Sequence, residues 1–250
     1  SMARGILFPE LALTTIDELI AENRARGDKD NVLARLNANV ADGQMTEQQL
    51  RYEMWTLLNA GHETTATTLA FAFALLSENP QARERVEQEA AKIGSGSVTH
   101  EDLSCLEFTQ RVVRETLRLF PPAWGTGREC VEEDVIDGYR IPAKSIMTTL
   151  FYVAQKNPIY WDAPERFDPD RFLPERSVDR PAESWCPFGL GGRSCIGEDF
   201  ALMEATIILA SVARRLELRL EPGAPVEGQV FGIGPLRPAR GISMTVHRRA

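Results

Sequence analysis

The chain has 250 residues, 43% of them hydrophobic and 26% charged, with a net charge of −8. That balance suits a folded globular protein of one large domain or two small ones, and without a dense Lys/Arg run it argues against a nucleic-acid partner. Cys105, Cys130, Cys186 and Cys195 form no CxxC pair and the histidines are His62, His100 and His247 alone, which argues against a zinc site or a multi-histidine metal centre.

In chain order, apolar periodicity predicts an amphipathic helix over 11–24 and a short one over 31–39, with polar loops at GDKD (27–30) and ADGQ (41–44). Thr46 and Gln49 have the spacing of a capping box. A helix of roughly thirty residues follows, about 45–50 Å long, and Asn79-Pro80 ends it. The apolar run 69–76 inside it is too short to cross a bilayer, and SMARGILFPE lacks a signal-peptide layout, so the expected compartment is the cytoplasm.

A charged surface helix is predicted over 80–92, a loop at GSGS (94–97) and a helix over 107–120 that stops at Pro121-Pro122. From 128 to 154 the pattern changes to short strands, with turns at Asp137-Gly138 and Pro142-Ala143. A proline-rich irregular stretch covers 157–187, a strong helix 196–216, and short strands and turns 217–250. The fold class is mainly α with a minor β-sheet.

Three segments carry candidate chemistry. The long helix has a weak centre, AGHETT (60–65). Gly61 costs about 1 kcal/mol against alanine there, and paired threonines are poor helix formers. A Thr64 hydroxyl bonded to the Ala60 carbonyl would loosen the helix and open a groove, with Glu63 beside it to relay protons. The plainer alternative is that Gly61 permits close packing while Glu63 and Thr64 face solvent. On this segment alone the plainer alternative is preferred.

In RVVRETLRLF (111–120), Glu115 and Arg118 are three residues apart and can pair. A surface pair would contribute well under about 1 kcal/mol. Val112, Val113, Leu117 and Phe120 instead suggest enclosure, which demands further partners, and Arg171 of FDPDRF (167–172) is a candidate.

In FGLGGRSCIG (188–197), Cys195 sits just before a helix, whose dipole and free amides stabilise a thiolate. Gly191, Gly192 and Gly197 leave room for a large planar ligand, and Arg193 offers a cation to its anionic edge. A haem needs an axial ligand and cations for its carboxylates, and the loop supplies both. A buried structural cysteine and a catalytic nucleophile stay open as alternatives.

Together these segments resemble the cytochrome P450 family of haem-thiolate monooxygenases. AGHETT resembles its oxygen-activating helix, ETLR (115–118) its ExxR motif, and PERFDPDRF (164–172) the segment that completes a Glu–Arg–Arg network. FGLGGRSCIG fits the haem-binding signature FxxGxRxCxG at every fixed position. Four motifs in order make chance a poor explanation.

The resemblance implies haem b as cofactor, with Cys195 as the iron ligand and Arg193 and Arg128 holding the haem carboxylates. Phe188, Gly189, Ile196, Gly197, Ala201, Ala60 and Gly61 would border the haem, with Phe188 near the sulfur. Thr64 and Glu63 would be catalytic, delivering protons to dioxygen. Glu115, Arg118 and Arg171 would form a structural network. Leu57, Ala123 and Trp124, with the 121–126 segment and the 230–235 turn, would line the substrate pocket.

The implied reaction inserts one oxygen atom from O2 into a small apolar organic substrate. Electrons would come from an external ferredoxin or flavoprotein, since neither a flavin nor an Fe–S motif is seen in this chain. The resemblance covers only the C-terminal half of the family fold, so the expectation is a single partial domain over 1–250 that lacks the N-terminal half. Such a piece would be a fragment, an engineered truncation or a shortened relative, prone to association through an exposed apolar face. Competing functions are a truncated, non-catalytic haem-binding or interaction protein, and a haem-thiolate peroxygenase or isomerase.

Overall fold

The computed structural model describes residues 2–94, 96–230 and 234–249, with side chains from residue 13 onward. The chain divides into two compact units, 1–63 and 64–250. The division falls inside one helix, between Glu63 and Thr64, in the weak AGHETT stretch.

The first unit contains α1 (Met2–Arg26), α2 (Val32–Ala41) and the start of α3 (Glu47–Glu78). Helix α1 begins well before the expected residue 11. Its Ile16 and Ile20 form a small core with Leu50 of α3, flanked by Leu33, Leu36 and Val40. The α3 capping box is formed: the Thr46 N–H donates to Gln49 Oε1 at 2.8 Å, and the Gln49 N–H to Thr46 Oγ1 at 3.1 Å. Two helix-end amides are thereby satisfied. Helix α3 then runs without interruption through 60–65 to Glu78. The expected local loosening does not break the helical assignment.

In the second unit, the rest of α3 packs with α4 (Pro80–Ala91), α5 (Glu107–Leu119) and α7 (Glu198–Arg215). Ala72, Leu76, Val86, Val112, Val113, Leu117, Ala205 and Leu209 make the main core. Helix α5 begins after Leu106, which has no capping side chain. Glu89 of α4 does that job: its carboxylate accepts the Phe108 N–H at 2.7 Å and the Thr109 N–H at 2.8 Å. Sequence reading missed this cap because the two partners are nineteen residues apart.

The expected minor sheet consists, among the described residues, of four separate two-stranded antiparallel ribbons. The first pairs β1 (Thr126–Glu129) with β4 (Ile146–Thr149) and encloses the hairpin of β2 (Asp134–Ile136) and β3 (Tyr139–Ile141). The predicted Asp137-Gly138 turn is present, with both residues at positive φ (50° and 81°), as a type I′ hairpin turn requires. Ribbon β5 (Leu216–Leu220) with β8 (Met244–Arg248) and ribbon β6 (Gly228–Val230) with β7 (Leu236–Pro238) close the chain.

Strand character stops at Thr149, not at 154. Phe151–Ala154 is instead one helical turn, α6, with Phe151 buried in the core. Tertiary burial of that ring overrides the local pattern. The proline-rich stretch is a series of 3₁₀ turns, Pro169–Phe172, Pro174–Arg176 and Ala182–Ser184. Among the described residues, no helix is long and apolar enough to cross a membrane.

Candidate functional site

The cysteine loop leaves buried Cys186 and turns at Gly189 (φ +77°) and Gly191 (φ +72°), where the left-handed backbone favours glycine. It then returns so that the Cys195 N–H donates to the Phe188 carbonyl at 2.8 Å. Helix α7 starts at Glu198 with Gly197 as its cap, so the expected start at 196 is two residues early. Cys195 therefore lies in the turn before the cap. Its sulfur still reaches the helix mouth, since a Cβ on Gly197 would lie 3.8 Å from Sγ.

Cys195 is exposed, which removes the buried-structural alternative for it; Cys186 is the buried thiol, and burial pushes its pKa up. Among the described residues no histidine or carboxylate hydrogen-bonds the Cys195 sulfur, which argues against a base-activated nucleophile. Large apolar side chains close to it along the chain are left in contact with water: Ile196 is 97% exposed, Phe200 61% and Leu190 51%. Ala201 is half-buried one turn along α7.

Gly192 and Gly61 are not required by backbone or packing. Neither has positive φ, and an added Cβ at either would meet nothing within 4 Å. The described protein atoms give no reason for glycine at either place. Gly189 differs, because the site of its missing Cβ is bordered by Arg193 O, Phe151 Cζ and Ser194 Cα, each at 3.9 Å.

Arg193 and Arg128 are exposed, and among the described residues neither is in an ion pair. Arg128 Nη1 is oriented by Thr126 Oγ1 at 2.7 Å and the Gly127 carbonyl at 2.8 Å. Phe188 packs edge-on to Trp185 with ring centres 6.1 Å apart.

The Glu115 network is formed and buried. Glu115 and Arg118 have no exposure and Arg171 has 3%. Glu115 Oε2 accepts Arg118 Nε at 2.7 Å; Oε1 accepts Arg118 Nη2 at 2.9 Å, the Asp168 N–H at 2.9 Å and Arg171 Nε at 3.3 Å. Burial pushes the Glu115 carboxyl up, while the Arg118 hydrogen bond and charge, the Asp168 amide and Arg171 pull it down. Both guanidinium groups also donate to carbonyls, Arg118 to Gln155 at 3.1 Å and Arg171 to Ala163 at 2.8 Å.

The structure adds members that sequence reading missed. The guanidinium groups of Arg180 and Arg118 lie over the ring of buried Trp161, 4.0 and 5.0 Å from its centre. An aromatic series, Trp161, Phe172, Trp185 and Phe188, runs from this cluster to the cysteine loop. Only the aromatic content of 157–188 hinted at it.

On the expected substrate side, the Trp124 indole donates to the Gly234 carbonyl at 3.0 Å, and the Leu236 N–H to the Pro122 carbonyl at 2.9 Å. The 121–126 segment and the 230–235 turn are thus tied together, although residues 231–233 of that turn lie outside the described residues. Trp124 is half-buried and Ala123 exposed. Leu57, Ala60, Gly61 and Glu63 belong to the first unit and Thr64 to the second. Leu57 is 42% exposed, and Glu63 and Thr64 are half-buried. Two clefts, of about 250 and about 460 Å³, lie elsewhere, beside Tyr160 and Arg180 and beside Glu87 and Arg249.

Helical architecture, buried Glu–Arg–Arg network and cysteine loop together define a class: the chain belongs to the cytochrome P450 family, whose model matches residues 10–246. The family implies haem b as cofactor.

Among relatives, cyclooctatin synthase of Streptomyces melanosporofaciens is 39% identical over 231 residues, covering 89% of this chain and 50% of that protein. Cyclooctat-9-en-7-ol 5-monooxygenase of the same organism is 38% identical over 218 residues, covering 83% and 46%. Pentalenene oxygenase of Streptomyces avermitilis is 34% identical over 217 residues, covering 85% and 48%. The solved cytochrome P450DA heme domain superposes with a TM-score of 0.85 at 26% identity, over 95% of this chain and 54% of that one. The chain spans about half the length of the curated relatives it matches.

Proposed function

We propose that this chain is the haem-holding half of a monooxygenase that inserts one oxygen atom from O2 into an apolar organic substrate, with electrons from a separate ferredoxin or flavoprotein. The observation that carries the reading is the cysteine loop. A free thiol stands at the mouth of α7 among exposed apolar side chains. The adjacent Gly192 is a glycine that the described protein atoms do not demand. A flat apolar ligand explains both, because it covers Leu190, Ile196 and Phe200 and needs a surface without side chains.

The residues present fit a haem. When bound, it supplies dioxygen activation, and a thiolate ligand favours O–O cleavage by donating electron density. Cys195 would hold the iron through its exposed sulfur at the mouth of α7. Arg193 and Arg128, with no carboxylate partner among the described residues, are the cations for the two propionates. Ile196, Gly197 and Ala201 would offer apolar contact to the haem, and Gly189 and Phe188 shape the turn of the loop. Thr64 and Glu63 are assigned proton delivery from the family pattern, and Ala60 and Gly61 the open helix surface beside them. Glu115, Arg118 and Arg171 hold the scaffold and do no chemistry. Ala123 and Trp124 are assigned to the substrate end. The apolar substrate class agrees with relatives named for pentalenene and for cyclooctat-9-en-7-ol.

The test is reconstitution with hemin, reduction, and the absorption spectrum under carbon monoxide. A strongly red-shifted Soret band in the parent chain, lost in Cys195→Ala, supports the reading. A chain that takes up no haem under any reconstitution condition overturns it in favour of the non-catalytic interaction protein. Thr64→Ala is expected to uncouple reductant use from product; unchanged coupling removes its proton role. Full turnover on peroxide without reductant favours the peroxygenase alternative.

A further inference from the structure

Gln155 follows the single turn of α6 and is fully buried. A primary amide has two N–H donors and a carbonyl acceptor, and burial makes each costly to leave unpaired. Its Nε2 donates to the Leu117 carbonyl at 3.1 Å and to the Arg118 carbonyl at 3.3 Å. These are last-turn carbonyls of α5, which the helix itself leaves unsatisfied. Its Oε1 accepts the N–H of Cys186, the first residue of the cysteine loop, at 2.9 Å. Its own backbone carbonyl accepts Arg118 Nη1 at 3.1 Å. One residue therefore joins the end of α5, the buried Arg118 and the root of the loop.

From that root, hydrogen bonds lead to the sulfur-bearing residue. The Gly189 N–H donates to the Cys186 carbonyl at 3.1 Å, and the Cys195 N–H to the Phe188 carbonyl at 2.8 Å.

We propose that Gln155 is a positioning residue for Cys195: its amide fixes the loop root against α5 and so sets where the sulfur stands at the α7 mouth. This rests on the reading of Cys195 as the iron ligand. Gln155 itself touches neither iron nor substrate.

The test compares the parent chain with Gln155→Met and Gln155→Glu by two readouts. The first is amide hydrogen exchange in the haem-free chain. Gln155→Met keeps the side-chain length and removes every polar contact, so amides of 186–195 are expected to exchange about tenfold faster or more, with those of the α4 and α7 cores unchanged. Gln155→Glu keeps the acceptor for Cys186 but sets a second acceptor against the Leu117 and Arg118 carbonyls, so its loop exchange is expected to fall between that of the parent and that of Gln155→Met. The second readout is the reduced, carbon monoxide spectrum after reconstitution. There Gln155→Met is expected to lose at least half of the thiolate-type band and Gln155→Glu a smaller part of it.

Unchanged loop exchange in Gln155→Met overturns the proposal. An increase spread evenly over the protein overturns it equally, because that is a merely structural role. If Gln155→Met does not fold, Gln155→Asn, with the same groups on a shorter stem, must show the same loop-confined increase. Failure of the iron-ligand reading has a different signature: the parent itself lacks the thiolate band while the exchange pattern still reports on Gln155.

Discussion

Replacing Glu115 by Gln keeps the side-chain shape and removes the one carboxylate between two buried guanidinium groups. In the folded chain that carboxylate accepts four hydrogen bonds, from Arg118 Nε and Nη2, the Asp168 N–H and Arg171 Nε, at 2.7 to 3.3 Å. A glutamine offers one oxygen. Its NH2 group must face either Arg118 Nε or the three donors on the other side, so a donor meets a donor in either orientation. Arg118 has no exposure and Arg171 3%, so water does not screen the stranded charges. Breaking one partner of a buried pair costs about 3–5 kcal/mol. For a chain of this size about 1 kcal/mol shifts the melting temperature by about 2–4 °C, so the expected drop is about 6–20 °C.

The assay is thermal and urea unfolding by far-UV circular dichroism, with tryptophan fluorescence as a local probe. Trp161 lies against Arg118, and the Trp185 indole donates to the Arg114 carbonyl at 3.1 Å. The control is Glu47→Gln, which breaks the Arg24–Glu47 pair whose side chains are 43% and 61% exposed. That change is expected to cost under about 1 kcal/mol. A Glu115→Gln loss no larger than the control would refute the reasoning, since it would mean that the network is solvated and shares its charge with water.

Thr46→Ala removes the α3 capping box and is expected to cost about 0.5–2 kcal/mol, read as a lower urea midpoint at unchanged slope. Gly125→Ala forces a Cβ to within 2.6 Å of the Thr149 carbonyl oxygen, so the β1–β4 ribbon must separate; exchange of the amides of 126–129 and 146–149 is expected to accelerate selectively. Asp168 is partly buried, which raises its pKa, but Arg176, Arg171 and Arg166 more than offset that and hold it below the usual value. Its folded pKa is depressed, so the unfolded state binds the proton first, and stability falls as pH drops below about 4. Asp168→Asn is expected to flatten that acid limb of the melting temperature against pH and leave the neutral limb's shape unchanged.

Legible along the chain were the parts that depend on near neighbours. The capping box at Thr46 and Gln49, the Asp137-Gly138 hairpin turn, the proline stop after Asn79 and the Glu115–Arg118 pair are all local, set by helical spacing or by turn chemistry within a few residues. The cysteine loop was legible for the same reason, because FGLGGRSCIG holds thiol, cation and glycines in one contiguous stretch. The remainder emerged on packing. Glu89 caps α5 from another helix, Gln155 joins α5 to Cys186, 31 residues further on from Gln155, and Phe151 turns a predicted strand into α6 because the core takes up its ring. Each of these is a side chain satisfying a group far along the chain. Local pattern carries no trace of such pairing, because what selects it is the cost of leaving a buried amide, charge or ring without a partner once the helices have packed.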